Sequence, residues 1–447
     1  MGNYFKKMSN KIRDESFSID LPLSNLVLTR YLYLKDEVKL ALLISLLNKS
    51  DDAIFWAYEL YYSGFKMELY DYIWKIYYDF FATLNPCFEQ YLNKMLKTNH
   101  NNTDDSAKLV ATIVQDLLIR PFNTDVFFLR TICSLFEIEC SLINTNKNTN
   151  TSKKSDINKL FKSTSNLHDQ LTNWIDIKDF KSIAQFILNV ITFDTNLGDK
   201  VLYTIYSIVI DIFTNIYNVK MSKPKLLKEF GLAQDRINSN INIHTISDKK
   251  VVLLTKIITL FALKEKLVKG KNFYIIVEPE DIIQYETIES SIDLRHYKVL
   301  DVARICGIDD LKYLSLFRLE RDTLFKNKDR NEINENGTND TIKELYLNNW
   351  LYHAAFSPIW FNRIKMYRGY VDYKNQKVEF VDEDVMQLFY NKYGYEPDEQ
   401  SQNITDKFLK INKGINWSTF YNNFKTNGLF MLDEDELDEL NNDKIKY

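Results

Sequence analysis

Glycine and proline are scarce in this chain of 447 residues, with 11 and 7 copies. All-β sandwiches and glycine-rich nucleotide folds need many turn residues, so the scarcity favours long helices. No G-x-x-x-x-G-K-[ST] or G-x-G-x-x-G run occurs, and "KGKNF" around Gly270 lacks the preceding glycine and the hydroxyl of a phosphate cradle. H-E-x-x-H and G-x-S-x-G are also missing, which removes familiar signatures of zinc and serine hydrolases. His100, His168, His244, His296 and His353 are scattered without ligand or triad spacing and read as surface or core residues. Cys87, Cys133, Cys140 and Cys306 form no C-x-x-C pair. Cys133 and Cys140 share a helix face and read as core, in a chain of a reducing compartment without a disulfide framework. No metal, cofactor or catalytic residue is expected.

An excess of charge is lacking too. Lys plus Arg number 57 against 61 Asp plus Glu, a net charge of −4, so direct binding to nucleic acid is not expected. No apolar run reaches the length of a membrane span; "VLYTIYSIVIDIFTNIY" comes nearest and Asp211 interrupts it. The N-terminus has no secretory pattern, and Lys6 stands where myristoylation of Gly2 wants Ser or Thr. Acid pairs such as Asp433 and Asp435 read as a solvated charge run.

Helical periodicity is what the chain has in abundance, and the expected class is mainly α: helical hairpins in an irregular bundle or α-solenoid, with one small β-hairpin. Ser50 can cap "DDAIFWAYELYYS", which Gly64 stops. Leu69, Ile73, Trp74, Tyr77 and Phe81 then form one stripe, ended by Asn85-Pro86. "DSAKLVATIVQDLLIRP" and "NTDVFFLRTICSLFEIECSLI" make a further pair. No repeat of fixed period emerges. "NTNKNTNTSKKS" and "KNKDRNEINENGTND" are polar linkers. They suggest an N-terminal helical domain at 1–143, a linker at 144–155, a central helical domain at 156–325 and a linker at 326–341. A C-terminal segment at 342–428 and an acidic tail at 429–447 follow. "NFYIIVEPEDI" reads as one short strand, and "YKVLDVARICGIDDLKYLSLFRLER" as helix broken near Gly307. "GYVDYKNQKVEFVD" alternates like a hairpin turning at Lys374-Asn375-Gln376.

The aromatic stretch Ala53–Pro86 reads as core. Stacking on bases needs cations between the rings, and Lys66 and Lys75 are outnumbered there by Asp51, Asp52, Glu59, Glu68, Asp71 and Asp79. Its surplus of Tyr exceeds one face and leaves a protein interface open. Two segments read as partner-binding. "YLNNWLY", with Tyr346, Trp350 and Leu351, has the loose form of ligands of cap-binding translation factors. Phe430, Met431, Leu432, Leu437 and Leu440 sit among carboxylates in the tail and suit a basic-rimmed apolar groove.

"ALLISLLNKSDDAIFWAYELYYSGF", "YIWKIYYDFFATLNP", "AAFSPIWFNRI" and "FYNKYGYEPDEQS" together resemble a helical protein group of nucleocytoplasmic large DNA viruses, the giant viruses. The Asn, Lys and Ile bias agrees with such genomes. The resemblance brings no activity or site residues; it implies a virus-encoded protein of the infected-cell cytoplasm or the particle. The function expected is a non-enzymatic helical scaffold or adaptor binding other, viral, proteins. The alternative is an accessory subunit of viral transcription or translation-initiation machinery that meets RNA through its partners. The oligomeric state stays open.

Overall fold

Helix follows helix in the computed structural model of the chain, which describes residues 27–33, 35–98, 105–135, 164–190, 198–239, 245–268, 274–275, 277–278, 280, 349–393 and 417–442. The first helices are α1 (Lys35–Leu47), α2 (Asp52–Tyr62), α3 (Lys66–Ile76), α4 (Phe88–Thr98), α5 (Asp105–Leu118) and α6 (Asp125–Leu135). Next come α7 (Thr164–Asp176), α8 (Phe180–Gln185), α9 (Gly198–Asn215), α10 (Lys223–Ser239) and α11 (Thr245–Lys264). The C-terminal elements are α12 (Pro358–Met366), β1 (Gly369–Asp372), β2 (Lys377–Phe380), α13 (Glu383–Tyr393), α14 (Trp417–Phe424) and α15 (Glu434–Asn442). The chain is thus mainly helical, with one two-stranded antiparallel sheet among the described residues.

Sequence and structure agree on how the first hairpin is built. Asp51 takes the N-cap position of α2, one residue after the expected Ser50, whose Oγ accepts a long bond from Asp52 N at 3.4 Å. Gly64 ends the hairpin with φ +94°, in the left-handed region that a residue with a Cβ avoids. Leu69, Ile73, Trp74, Tyr77 and Phe81 are all buried. The stripe runs through a π-helical turn, Tyr77–Phe81, and a second such turn, Phe186–Val190, extends α8. Both π-turns pack on α6 and α11. A π-turn carries one extra residue per turn, which widens the helix and redirects the side chains after it.

One buried cluster runs from Tyr33 through Tyr77, Phe127 and Phe261 to Leu437, joining α1 to α11 with α14 and α15. The rings of the aromatic stretch belong to it: Trp56, Tyr58, Tyr72 and Trp74 are buried, and Trp74 stacks on Tyr78 at 5.8 Å. Core packing of this kind adds about 0.5–1.5 kcal/mol per ring pair beyond area burial. The expected strand at 272–282 is not formed by Tyr274, Ile275, Val277 or Glu278. Those residues lie beside α4 and α5 instead, with Tyr274 on Tyr91 and Ile275 N donating to Asp116. The helix expected over 297–321 lies outside the described residues.

A second cluster forms where the C-terminal module meets the N-terminal segment. Leu28 and Leu32 pack with Trp350, Trp360, Ile364 and Phe389. Ser357 precedes Pro358 at the start of α12, the first-turn position where a missing N–H costs nothing. Trp360 Nε1 donates to Thr29 O at 3.0 Å, and Ile359 N donates to Ser63 O at 3.3 Å. Gly64 makes this approach possible, because a Cβ there would lie 2.5 Å from Pro358 Cβ. Gly64→Ala is therefore expected to cost about 2 kcal/mol through the left-handed backbone and the collision. Limited proteolysis should then cut near α12 faster than in the wild-type chain, and an unchanged cleavage rate would refute this account of the docking.

Candidate functional site

Charge inside the bundle is spent on holding helices together. Glu59, fully buried, accepts from Arg30 Nε at 2.8 Å and from Tyr31 N at 3.0 Å, while the Arg30 guanidinium lies 4.6 and 4.7 Å from the Tyr31 and Tyr62 rings. The first π-turn delivers two more links. Asp79 accepts from Arg130 Nε and Nη2 at 3.1 and 2.6 Å. Tyr78 donates to Glu89 Oε1 at 2.7 Å and accepts from Arg236 Nη2 at 3.2 Å, and Lys256 closes the group on Glu89 Oε2. Burial, reinforced by Glu89, raises the Tyr78 phenol far above its ordinary range, so it stays a donor. In α5, Asp116 accepts from Arg120, whose guanidinium lies 3.9 Å from the Phe88 ring. These groups suit cross-linking of elements, since each buried charge meets an opposite charge or a donor.

Among the described residues no three His, Cys, Asp or Glu side chains come close enough to hold a metal ion. His353 is buried beside Tyr352, at 5.3 Å between rings, and burial lowers its imidazole to about 4. His168 is half-buried and 3.6 Å from Asp169. His100, His244, His296, Cys140, Cys306 and Tyr346 lie outside the described residues. No helix among the described residues is long and apolar enough to cross a membrane; Asp211 in α9 pairs with Lys223 at 2.5 Å.

The acidic tail is seated on the chain's own helices. Asp433 and Glu436 form a reciprocal cap that starts α15, with Glu436 N on Asp433 Oδ1 at 2.8 Å and Asp433 N on Glu436 Oε2 at 3.1 Å. The same two carboxylates reach Lys181 of α8. Upstream, Phe420 meets Phe127 and Phe128, Phe424 meets Phe122, and Phe430 meets Phe180. Asp125, 1% exposed, receives Leu429 N on both oxygens at 3.1 and 3.0 Å and Phe430 N at 3.1 Å. Asn123 Nδ2 donates to Asp125 Oδ2 at 2.9 Å, and Tyr421, whose hydroxyl accepts from Leu432 N, faces the same carboxyl. Burial pushes the Asp125 carboxyl up to about 7 against the pull of the two backbone donors. Asn123 Oδ1 is buried without a hydrogen bond. Turning that amide over would let it accept the Asp125 proton.

The hairpin module shows the opposite character. Val371 pairs with Val378 in register and both lean on the second cluster, while Tyr370 and Glu379 pair on the outer face. Asp372 takes Lys374 N and Asn375 N at 3.1 Å and so fixes the turn. Phe389 and Tyr393 are the buried residues of α13, and Asp382 caps it through Val385 N at 2.8 Å. Six large apolar side chains remain exposed between residues 366 and 388: Met366, Tyr370, Tyr373, Val381, Met386 and Leu388. Val381 and Leu388 are 64% and 58% exposed.

The residues expected to bind partners divide as follows. Trp350 and Leu351 are buried, and Trp350 meets Trp360 edge-on at 5.5 Å. Phe430, Leu432 and Leu437 are buried in the main cluster, whereas Met431 is 61% exposed. Leu440 belongs to α15. Asp125 and Lys181 were not singled out from the sequence. "NTD" before an apolar helix signals only a helix start, and nothing local marks a carboxylate as the seat of amides some 300 residues away. Comparisons with protein-family models, curated proteins and solved structures return no match to the chain.

Proposed function

We propose that the chain is a non-enzymatic helical adaptor whose C-terminal hairpin module presents an apolar face to a protein partner. The observation that carries this reading is the crowding of exposed Met366, Tyr370, Tyr373, Val381, Met386 and Leu388 on one small module. Solvent contact at so many large apolar side chains is costly, and covering them with a partner recovers that cost. The module is a firm support: Trp360 and Gly64 fix it to the N-terminal segment. The interior supports the same reading, because its charged groups are occupied in joining helices. The resemblance to the giant-virus group supplies the setting, a viral factory or particle with viral proteins as partners.

Affinity purification of the tagged chain from infected cells, with nuclease-treated and untreated halves compared, tests this reading. Partners should survive nuclease. They should fall about tenfold or more with the surface change Val381→Asp plus Leu388→Asp, which leaves the core untouched. Capture that is insensitive to these substitutions would overturn the assignment of the face. Capture that depends on nucleic acid would favour the transcription or translation reading instead.

A further inference from the structure

The C-terminal segment 417–442 is held to the body by side chains. Among the described residues no backbone–backbone hydrogen bond joins it to another segment. The amides of Leu429 and Phe430 reach the body, and both meet one carboxylate on α6. The segment's other attachments include ring pairs at 5.2–6.4 Å, Phe420 on Phe127 and Phe128, Tyr421 on Phe128, Phe424 on Phe122 and Phe430 on Phe180, together with ion pairs to Lys181. Such a segment can leave without breaking a helix or sheet of the body. Its departure would uncover four phenylalanines beside a lysine, a surface of the kind that binds peptides.

We propose that the face of α6, the residues just before it and α8, lined by Phe122, Phe127, Phe128 and Phe180, is a docking seat for an acidic, aromatic-bearing peptide segment of a partner protein, occupied in cis by residues 417–442 as a releasable strap. This goes beyond the adaptor reading and does not rest on the hairpin face. The resident segment defines the chemistry of the ligand. It has two aromatic anchors one helical turn apart, a bent loop whose amides reach Asp125, and paired acids that meet Lys181. Tethering gives the strap an effective concentration in the millimolar range, so a competing peptide binds the intact chain weakly. Weakening the strap alone should expose the seat.

The test uses the full chain and a fluorescent peptide of residues 417–442. The peptide should bind a chain carrying Phe420→Ala and Phe424→Ala at least about tenfold more tightly than the wild-type chain. An unlabelled peptide with the same two substitutions should fail to compete. Hydrogen exchange provides the second readout: in the wild-type chain the Leu429 and Phe430 amides should exchange faster than those of α11, by a partial opening. Absence of peptide binding to a variant whose α6 amides stay protected would overturn the proposal. So would loss of α6 protection in that variant, or strap amides that exchange only with the whole fold, since either makes the segment part of the core.

Discussion

Replacing Glu59 with Ala should destabilise the chain by about 3–5 kcal/mol, because it leaves the Arg30 guanidinium buried without its carboxylate. Arg30 and Glu59 expose 6% and 0% of their side chains, so water cannot take over. The loss is electrostatic in origin, and the double replacement Arg30→Met plus Glu59→Leu separates it from lost packing. Removing both charges in favour of apolar side chains of similar size should restore most of the stability. Urea denaturation of Arg30→Met, Glu59→Leu and the double variant gives the interaction directly. If the double variant is no better than Glu59→Ala, the pair is not the cause of the loss.

Asp125→Asn and His353→Gln should tilt the pH dependence of stability in opposite directions. The Asp125 carboxyl has an ordinary value of 3.8 and one of about 7 in the fold. Between these the folded chain keeps a proton that the unfolded chain has released, so stability falls as pH rises. His353 does the reverse. Unfolded, it takes a proton near 6.5, and folded only near 4, so stability present above 6.5 is lost as pH falls. Both side chains are 1% exposed. Glu68, whose burial is outweighed by Lys35 and Lys39, is held at about 2 and titrates below this range. In the wild-type chain the two slopes nearly cancel between about pH 4.5 and about pH 6.5. With Asp125→Asn, stability should rise by about 2 kcal/mol over that interval, and with His353→Gln it should fall by about 2 kcal/mol. Denaturation midpoints at the two pH values decide the matter, and parallel profiles in all three chains would sink the assignment of both groups.

Local rules were enough for the helices and the hairpin. The stripe Leu69, Ile73, Trp74, Tyr77 and Phe81 identified a buried helix face, Gly64 identified its upstream stop, and alternation in "YVDYKNQKVEF" identified β1 and β2. The π-turns were not legible, because one extra residue per turn barely disturbs a hydrophobic stripe. Contacts across the chain were not legible either. The tail's acids and apolar residues announced an amphipathic docking segment, yet nothing in "LFMLDEDELDELNND" names Phe180 or Lys181 as its seat. Trp350 read equally well as a ligand motif and as core until Trp360 and Leu28 were found around it. The short strand expected near Tyr274 failed for a related reason. Asp116, Tyr91 and Arg120 already supply its amide and its ring with partners, so no second strand is required.

Two of the fold's long-range closures come late in synthesis. Thr29 meets Trp360 across 331 residues of sequence, and Asp125 meets Phe430 across 305. At a ribosome adding about 5–20 residues per second, the partners of Leu28, Leu32 and the α6 phenylalanines emerge roughly 15–60 s after those residues do. Throughout that interval the nascent chain carries two uncovered sticky faces. Its yield in a cell should therefore depend on chaperone supply and on the pace of translation as much as on the stability of the finished fold.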